Sequence, residues 1–294
     1  MTMNPATIAV FAGMAIPVTV FVFAFLWQRR KWQTHKPPQQ EKLLRPAGYS
    51  LGLRVEELAD QGLERLMMAC LFGTISGGLA HVVGIQFAVG SKYVWGSALA
   101  LFTFAGFSAK SAYKAYRLID ELRNARLGLR GEQAVAEALH EAADAGYRVF
   151  HDLQTEQCGN IDHIVVGPRG VFAIEAKARR RRGSRNGKPE HVVEYDGRRL
   201  IFPCGHDPNA IEQVERNAKW LAEYLAKRTA EPVVVEPVVV IPGWYVETKG
   251  NFPVKVMNTG YLTKFLRGQS PKLDAAQVQR IVAALDDKCR DVEF

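Results

Sequence analysis

The chain has 294 residues, 48% of them hydrophobic and 23% charged, enough for one or two packed domains and too apolar for a disordered tail protein. Thirty-eight Lys and Arg against 30 Asp and Glu leave a net charge of +8, which suits nucleic acid or an anionic membrane face without choosing between them. Cys70, Cys158, Cys204 and Cys289 form no C-x-x-C pair, which excludes a disulfide scaffold and a zinc ribbon and fits a reducing compartment. A mean hydropathy of −0.10 averages a strongly apolar first third with a charged remainder. That profile is expected of a globular protein anchored in a membrane.

Residues 7–27 read TIAVFAGMAIPVTVFVFAFLW, a run that suffices to cross roughly 30 Å of hydrocarbon as a helix. A neutral MTMNPA precedes it and Arg29, Arg30 and Lys31 follow, the layout of an anchor rather than of a secretory signal. Two further apolar runs, residues 66–89 and 93–109, are separated only by Gly90, Ser91 and Lys92. Such a short connection forces an antiparallel hairpin. Basic residues follow the first run (Lys36, Lys42, Arg45) and the third (Lys110, Lys114, Arg117, Arg123, Arg126). The positive-inside rule then puts the N-terminus outside and the C-terminal bulk in the cytoplasm. The expectation is three transmembrane helices in the plasma (inner) membrane; a buried helical hairpin of a soluble domain is the competing reading of the second and third runs. Gly73 and Gly77 form a G-x-x-x-G, a surface that lets another helix approach and allows a homo-oligomer through the spans. His81 and Gln86 are expected to make interhelical hydrogen bonds. Residues 48–52, GYSLG, match the G-x-S-x-G elbow, but no strand precedes them, so chance explains the match.

Beyond the third run, residues 111–127 read as a charged helical stalk. Val135, Ala138, Leu139 and Ala142 then recur at helical spacing. YRVFHDL (147–153), IDHIVV (161–166) and VFAIEAK (171–177) alternate as strands, the last two joined by Gly167-Pro168-Arg169-Gly170, a favoured tight turn. A further hairpin is expected around Asp196-Gly197. Asp207-Pro208 opens a helix whose core face is Ile211, Val214, Ala218, Leu221 and Leu225, with Gln213 on its flank. Residues 233–241 are strand-like but interrupted by Pro237, so their second half is expected to start a new edge strand. A short strand at 254–256 and helices near Leu262 and over 275–285 close the domain.

The turn at Pro168 and Arg169 carries the chemistry. If those two residues alone form the loop, Val166 opposes Val171 and Asp162 opposes Glu175, with Cβ atoms about 5 Å apart on one face. Lys177 shares that face by the period of two, and Phe172 and Ile174 point away. A three-residue loop would separate the carboxylates. Like charges placed opposite each other destabilise a strand pair, and a divalent metal removes the conflict. Glu175-Ala176-Lys177 is also an E-x-K, a pattern common by chance, as Glu247-Thr248-Lys249 shows. Taken alone, Glu175 and Lys177 could be an ion pair on a sheet edge, and Glu132 an acid favoured at a helix N-terminus.

Gly131-Glu132, the strand YRVFHDL, GNIDHIVVGPRGVFAIEAK over 159–177 and the later helix with Gln213 together resemble the nuclease-related domain (NERD), a branch of the PD-(D/E)xK nuclease superfamily. The likeness runs over residues 128–230, and Ile161-Asp162 stands where the superfamily's name has proline and aspartate. The resemblance implies an α/β, restriction-endonuclease-like core, a central mixed sheet flanked by helices. In it Asp162 and Glu175 bind Mg²⁺, or Mn²⁺, Lys177 positions or activates water, and Glu132 and Gln213 support the site. Mg²⁺ takes hard oxygens, so two acids and a strand carbonyl, that of Ala176, hold it with positions open for water and substrate, whether one ion or two are bound.

Directly after Lys177 comes ARRRRGSRNGK (178–188), a basic loop leaving the proposed metal face. Arg179, Arg180, Arg181, Arg182, Arg185 and Lys188 are candidates to neutralise backbone phosphates, or lipid headgroups. The sequence therefore predicts an anchor over 1–27, a basic linker over 28–65, a membrane hairpin over 66–110, a stalk over 111–127 and a nuclease-like domain over 128–294. The partners expected are DNA, ahead of RNA, and the lipid bilayer. The alternative class is a catalytically inactive module that binds nucleic acid or a protein at the membrane.

Overall fold

The structure, a computed structural model, describes residues 13, 16–17, 19–25, 27–28, 30, 42–156, 159–180, 191–203 and 205–292. The described residues before 31 are helical; the rest of the expected 7–27 span lies outside the described residues. In chain order the elements are β1 (Leu43–Leu44), α1 (Tyr49–Ala88), α2 (Val94–His140), β2 (Arg148–Thr155), β3 (Gly159–Gly167), β4 (Gly170–Ala176), β5 (Val192–Tyr195), β6 (Leu200–Phe202), β7 (Gly205–Asp207) and α3 (Asn209–Thr229). They continue with β8 (Val235–Val240), β9 (Tyr245–Thr248), β10 (Lys255–Met257), α4 (Thr259–Arg267), α5 (Ala275–Cys289) and β11 (Arg290–Val292).

The chain divides into two compact units. One comprises Met1–Pro38 and Val55–Arg123, the other Gln39–Arg54 and Asn124–Phe294. In the first unit, the expected hairpin forms from α1 and α2. Phe72 packs against Phe104 and Phe107 with ring centroids 6.0 and 5.6 Å apart, and the Ser108 hydroxyl donates to the Ala69 carbonyl at 2.9 Å. Gly73 of the G-x-x-x-G faces Ser108 within the same chain, while Gly77 meets nothing. His81 is exposed and the Gln86 Oε1 finds no hydrogen-bond partner, so the interhelical bonds expected of that pair do not form.

Three transmembrane helices are not what the structure shows. Among the described residues one helix, α1, is long and apolar enough to cross a membrane. The apolar start of α2 rises only about 24 Å, at 1.5 Å per residue, before Lys110, short of the hydrocarbon thickness. Nor is there a separate stalk, because α2 runs unbroken from Val94 through residues 111–127 to His140. The stretch expected as a linker over 28–65 likewise contains β1 and the start of α1.

The second unit is the α/β fold. Its central sheet has the order β10-β8-β4-β3-β2; β10, β8 and β4 run parallel, and β3 and β2 antiparallel to their neighbours. On one face Ile164, Val166, Val171 and Ala173 pack against Leu221 and Leu225 of α3 and Ile281 and Leu285 of α5. On the other, Val165, Phe172 and Ile174 pack against Val135 and Leu139 of α2 and Leu262 and Leu266 of α4. Both faces are covered, which is why β3 and β4 read as nearly continuous apolar runs. A four-stranded sheet, β7-β6-β5-β9, holds the hairpin at Asp196-Gly197, and β1 pairs with β11.

Pro237 does not begin an edge strand. β8 is continuous and sits between β4 and β10, pairing with β4 from Val235 but with β10 only from Val238. The residue lacking an N–H therefore falls where one side of the strand has no neighbour yet, which is how a proline fits in an interior strand.

Candidate active site

The β3–β4 hairpin closes through Pro168 and Arg169, with Gly167 opposite Gly170 and Val166 opposite Val171. This is the two-residue register. Continued one residue beyond the pair His163 and Ile174, it brings Asp162 opposite Glu175, and the Asp162 Oδ2 accepts the Ala176 amide at 2.8 Å. By the alternation of a strand, the two acids prolong the row of Ile164, Val166, Val171 and Ala173. Lys177 Nζ lies 2.9 Å from Glu175 Oε1 and donates to Gln213 Oε1 at 3.2 Å.

Two neighbouring helices complete the group. The α3 helix is capped by Asp207, whose Oδ1 accepts the Asn209 and Ala210 amides at 3.0 and 3.2 Å, and Gln213 comes one turn later. In α2, a Cβ at Gly131 would lie 2.5 Å from the Cβ of Ala178. Only glycine lets the helix approach the end of β4 that closely, and the next residue, Glu132, is carried to the acids as a result. Glu132, Asp162, Glu175, Lys177 and Gln213 thus meet at one end of the sheet. Glu247-Thr248-Lys249 does not join them: it runs through β9, where Lys249 pairs with Glu194 at 2.6 Å.

The acids are buried, with Glu175 3% exposed and Asp162 and Glu132 5% each. Burial, then the charges of Asp152 and Glu175, push Glu132 up to about 7. Burial and the Glu175 and Glu132 charges hold Asp162 well above the usual carboxylate range. Glu175 is also raised by burial, against the pull of Lys177. For Lys177 burial acts downward, but Glu175 and Asp162 outweigh it and keep the ammonium charged. The Glu132 Oε2 and the Glu175 Oε2 are buried without any hydrogen-bond partner. Orphaned, mutually repelling carboxylate oxygens are what a hard divalent cation would satisfy. Among the described residues no group of three or more His, Cys, Asp and Glu side chains is arranged to hold a metal ion. A bound ion here would need the strand carbonyl, water and substrate to fill its shell.

Several residues at this end were not singled out by sequence reasoning. Asp152, on β2, is fully buried and adopts φ +50°, a left-handed conformation costing roughly 1–2 kcal/mol in a non-glycine residue. Its carboxylate accepts the Ser50 amide at 2.5 Å and the Asn160 amide group at 2.8 Å, and Asn217 of α3 donates to the Asn160 carbonyl at 3.2 Å. An aspartate inside a strand is unusual, and that was the available signal. Gly48 and Ser50, a chance motif by sequence, also stand beside the acids. On the opposite side of β3 from Asp162, His163 and His151 meet through their Nδ1 atoms at 2.8 Å. Burial lowers the pKa of both rings.

Of the basic loop, Arg181, Arg182, Arg185 and Lys188 lie outside the described residues. Arg179 is engaged within the fold: its guanidinium sits 4.5 Å over the Phe202 ring and 3.3 Å from Asp207 Oδ2, and its carbonyl accepts the Trp244 indole N–H at 3.2 Å. Arg180 is exposed. Both border a recess of about 450 Å³ with Ala178, Phe202 and Trp244.

Residues 127–242 match the family model described as the nuclease-related domain, NERD. That segment contains Glu132, Asp162, Glu175, Lys177 and Gln213. No curated protein and no solved structure matches the chain.

Proposed function

We propose that the protein is a membrane-anchored, metal-dependent nuclease that hydrolyses phosphodiester bonds of DNA. The observation that carries this reading is the alignment of Asp162 and Glu175 across the hairpin, with unsatisfied carboxylate oxygens beside Lys177. Asp162, Glu175 and the Ala176 carbonyl would hold Mg²⁺ or Mn²⁺. Such an ion supplies charge neutralisation at the phosphoryl group and acidifies an attacking water.

The chain's own groups do the rest. Glu175 and Gln213 fix the Lys177 ammonium at the mouth of the acid pair, where it stabilises negative charge developing on the phosphate. Glu132, raised to about 7, holds or releases a proton near neutral pH beside the other two acids. Arg180, with Arg181, Arg182, Arg185 and Lys188, provides sequence-independent contacts to the phosphate backbone. Arg179 contributes less charge than its neighbours, because Asp207 offsets it.

The apolar hairpin of α1 and α2, together with residues 7–27, anchors the chain in the plasma (inner) membrane, and the basic flanks keep the nuclease domain in the cytoplasm. The anchor also leaves room for a homo-oligomer through these helices. The test is cleavage of plasmid, linear duplex, single-stranded DNA and RNA by the full chain in detergent, with Mg²⁺ or Mn²⁺. Metal-dependent cleavage of DNA is expected. Activity that survives both Asp162→Ala and Glu175→Ala refutes the site; no cleavage with intact, salt-sensitive binding reassigns the domain to a silent nucleic-acid-binding module.

A further inference from the structure

We infer that residues 45–52, which lead into the candidate membrane helix, are a working part of the active site: they form its roof and hold Glu132 and Asp152 in position. The inference rests on the nuclease reading above. It concerns a segment outside the matched residues 127–242.

The physical reason begins with α1. A helix leaves its first amides without partners, and a Ser, Thr, Asp or Asn at the N-cap normally satisfies one of them. Here the residue before Tyr49 is Gly48, which has no side chain to offer. The acceptor comes instead from the acid cluster. The Ser50 amide donates to Asp152 Oδ2 at 2.5 Å, and Gly48 lies against the Glu132 side chain. The bond acts in both directions, because an acid that caps a helix is itself held by it.

Space and anchoring agree with this. Gly48 adopts φ +72°, and a Cβ there would lie 2.4 Å from Leu129 Cδ1 and 3.5 Å from Glu132 Oε2. A side chain at this position would collide with Leu129 and strain the left-handed backbone of the roof. Arg45 fastens the segment from the other side: its Nη1 donates to the Asp152 carbonyl at 2.7 Å and its Nε to Asp291 Oδ1 at 2.6 Å. This grip holds the carbonyl of Asp152, whose backbone is left-handed. From Asp152 the bonds run through Asn160 to Asn217 of α3, so the roof, β2, β3 and α3 are tied together around the acids. Asp152 is a positioning residue: it acts through Ser50 and the Asn160 link rather than on substrate.

The test uses the full chain in detergent micelles with three variants, Asp152→Ala, Ser50→Pro and the core truncation Ile281→Val. Ser50→Pro removes one donor from the first helical turn, where proline is tolerated. Calorimetry with Mg²⁺ alone reads metal affinity, DNA cleavage reads kcat against KM, and thermal melting reports folding. Asp152→Ala and Ser50→Pro are expected to weaken Mg²⁺ binding about tenfold and to lower kcat with KM for DNA unchanged, as loss of an outer-shell partner does. Ile281→Val, which lowers stability without touching the roof, leaves both at the parental value. If Asp152→Ala fails to fold, Ser50→Pro, which keeps the Asp152 carboxylate and its bond to Asn160 and removes a single donor, decides the matter. Folded variants with parental Mg²⁺ affinity and kcat overturn the inference alone; a parent that binds neither Mg²⁺ nor Mn²⁺ overturns it together with the nuclease reading.

Discussion

Apolar residues are treated in opposite ways in the two units. In the α/β unit, Ile164, Val166, Val171, Phe172 and Val240 are fully enclosed between sheet and helices. In the α1–α2 hairpin, Phe87, Trp95, Leu99 and Phe102 are each at least 70% exposed, and the most apolar stretch of α1 is only 6% buried. A helix apolar on all sides has no face to give to water. On the membrane reading proposed above, lipid is the second solvent for the first unit, whereas the α/β unit encloses its own apolar side chains. The same division separates two uses of polar groups: in the sheet, buried charge is concentrated at one end.

That concentration gives the largest expected effect. Glu175→Ala should lower metal-dependent DNA cleavage by about a thousandfold, several kcal/mol of lost charge stabilisation, while the metal-free protein melts no lower than the parent because one of the repelling acids is gone. A melting temperature that collapses would mean that the acids serve the fold. Next, Ile164→Ala should destabilise the α/β unit by about 2–5 kcal/mol in any medium, read by denaturant unfolding. Phe102→Ala should leave that transition unchanged. Phe102→Asp should instead weaken membrane association by about 3 kcal/mol, read by flotation with liposomes; an unchanged partition would remove lipid as the second solvent.

A smaller effect comes from protons. Glu132 has a folded pKa of about 7 against 4.5, so the folded state binds the extra proton. Its contribution to stability is complete below pH 4.5 and is lost as pH rises toward 7, on the order of 1–3 kcal/mol. Asp162 and Glu175 act in the same direction. His151 and His163, lowered by burial, act oppositely, stabilising the fold above 6.5 and withdrawing that stability as pH falls. The difference in melting temperature between the parent and Glu132→Gln, without metal, isolates the acid: it should shrink from pH 4.5 to 7. A constant difference would contradict the electrostatic account. Smallest of all, Arg180→Ala should reduce the salt slope of DNA binding by nearly one. Arg179→Ala should change it less, because Asp207 already partners that guanidinium.

The sheet end was legible because its signals are local. A two-residue turn, a period of two and an E-x-K fix which side chains share a face, and the register followed. Gln213 was on the correct helix, but its bond to Lys177 depends on where α3 crosses the sheet, which spacing does not encode. Asp152 was hidden because its role comes from a left-handed backbone and from Ser50, about a hundred residues earlier. Hydropathy recognised the hairpin but not its bounds: α1 begins at Tyr49 and α2 runs to His140, since a helix continues through polar residues wherever nothing breaks it. Pro237 misled for a related reason, because a proline's cost depends on which neighbour has begun to pair.

The pairing of β1 with β11 bears on how the protein is made. Leu43 and Leu44 are translated well before the partners that pin them, Arg290 and Val292. Until then Arg45 lacks Asp291 and the cover over the acids has no fastening. The cover over Glu132 and Asp152 is therefore fastened only after Arg290–Val292 have emerged, later than every strand of the central sheet.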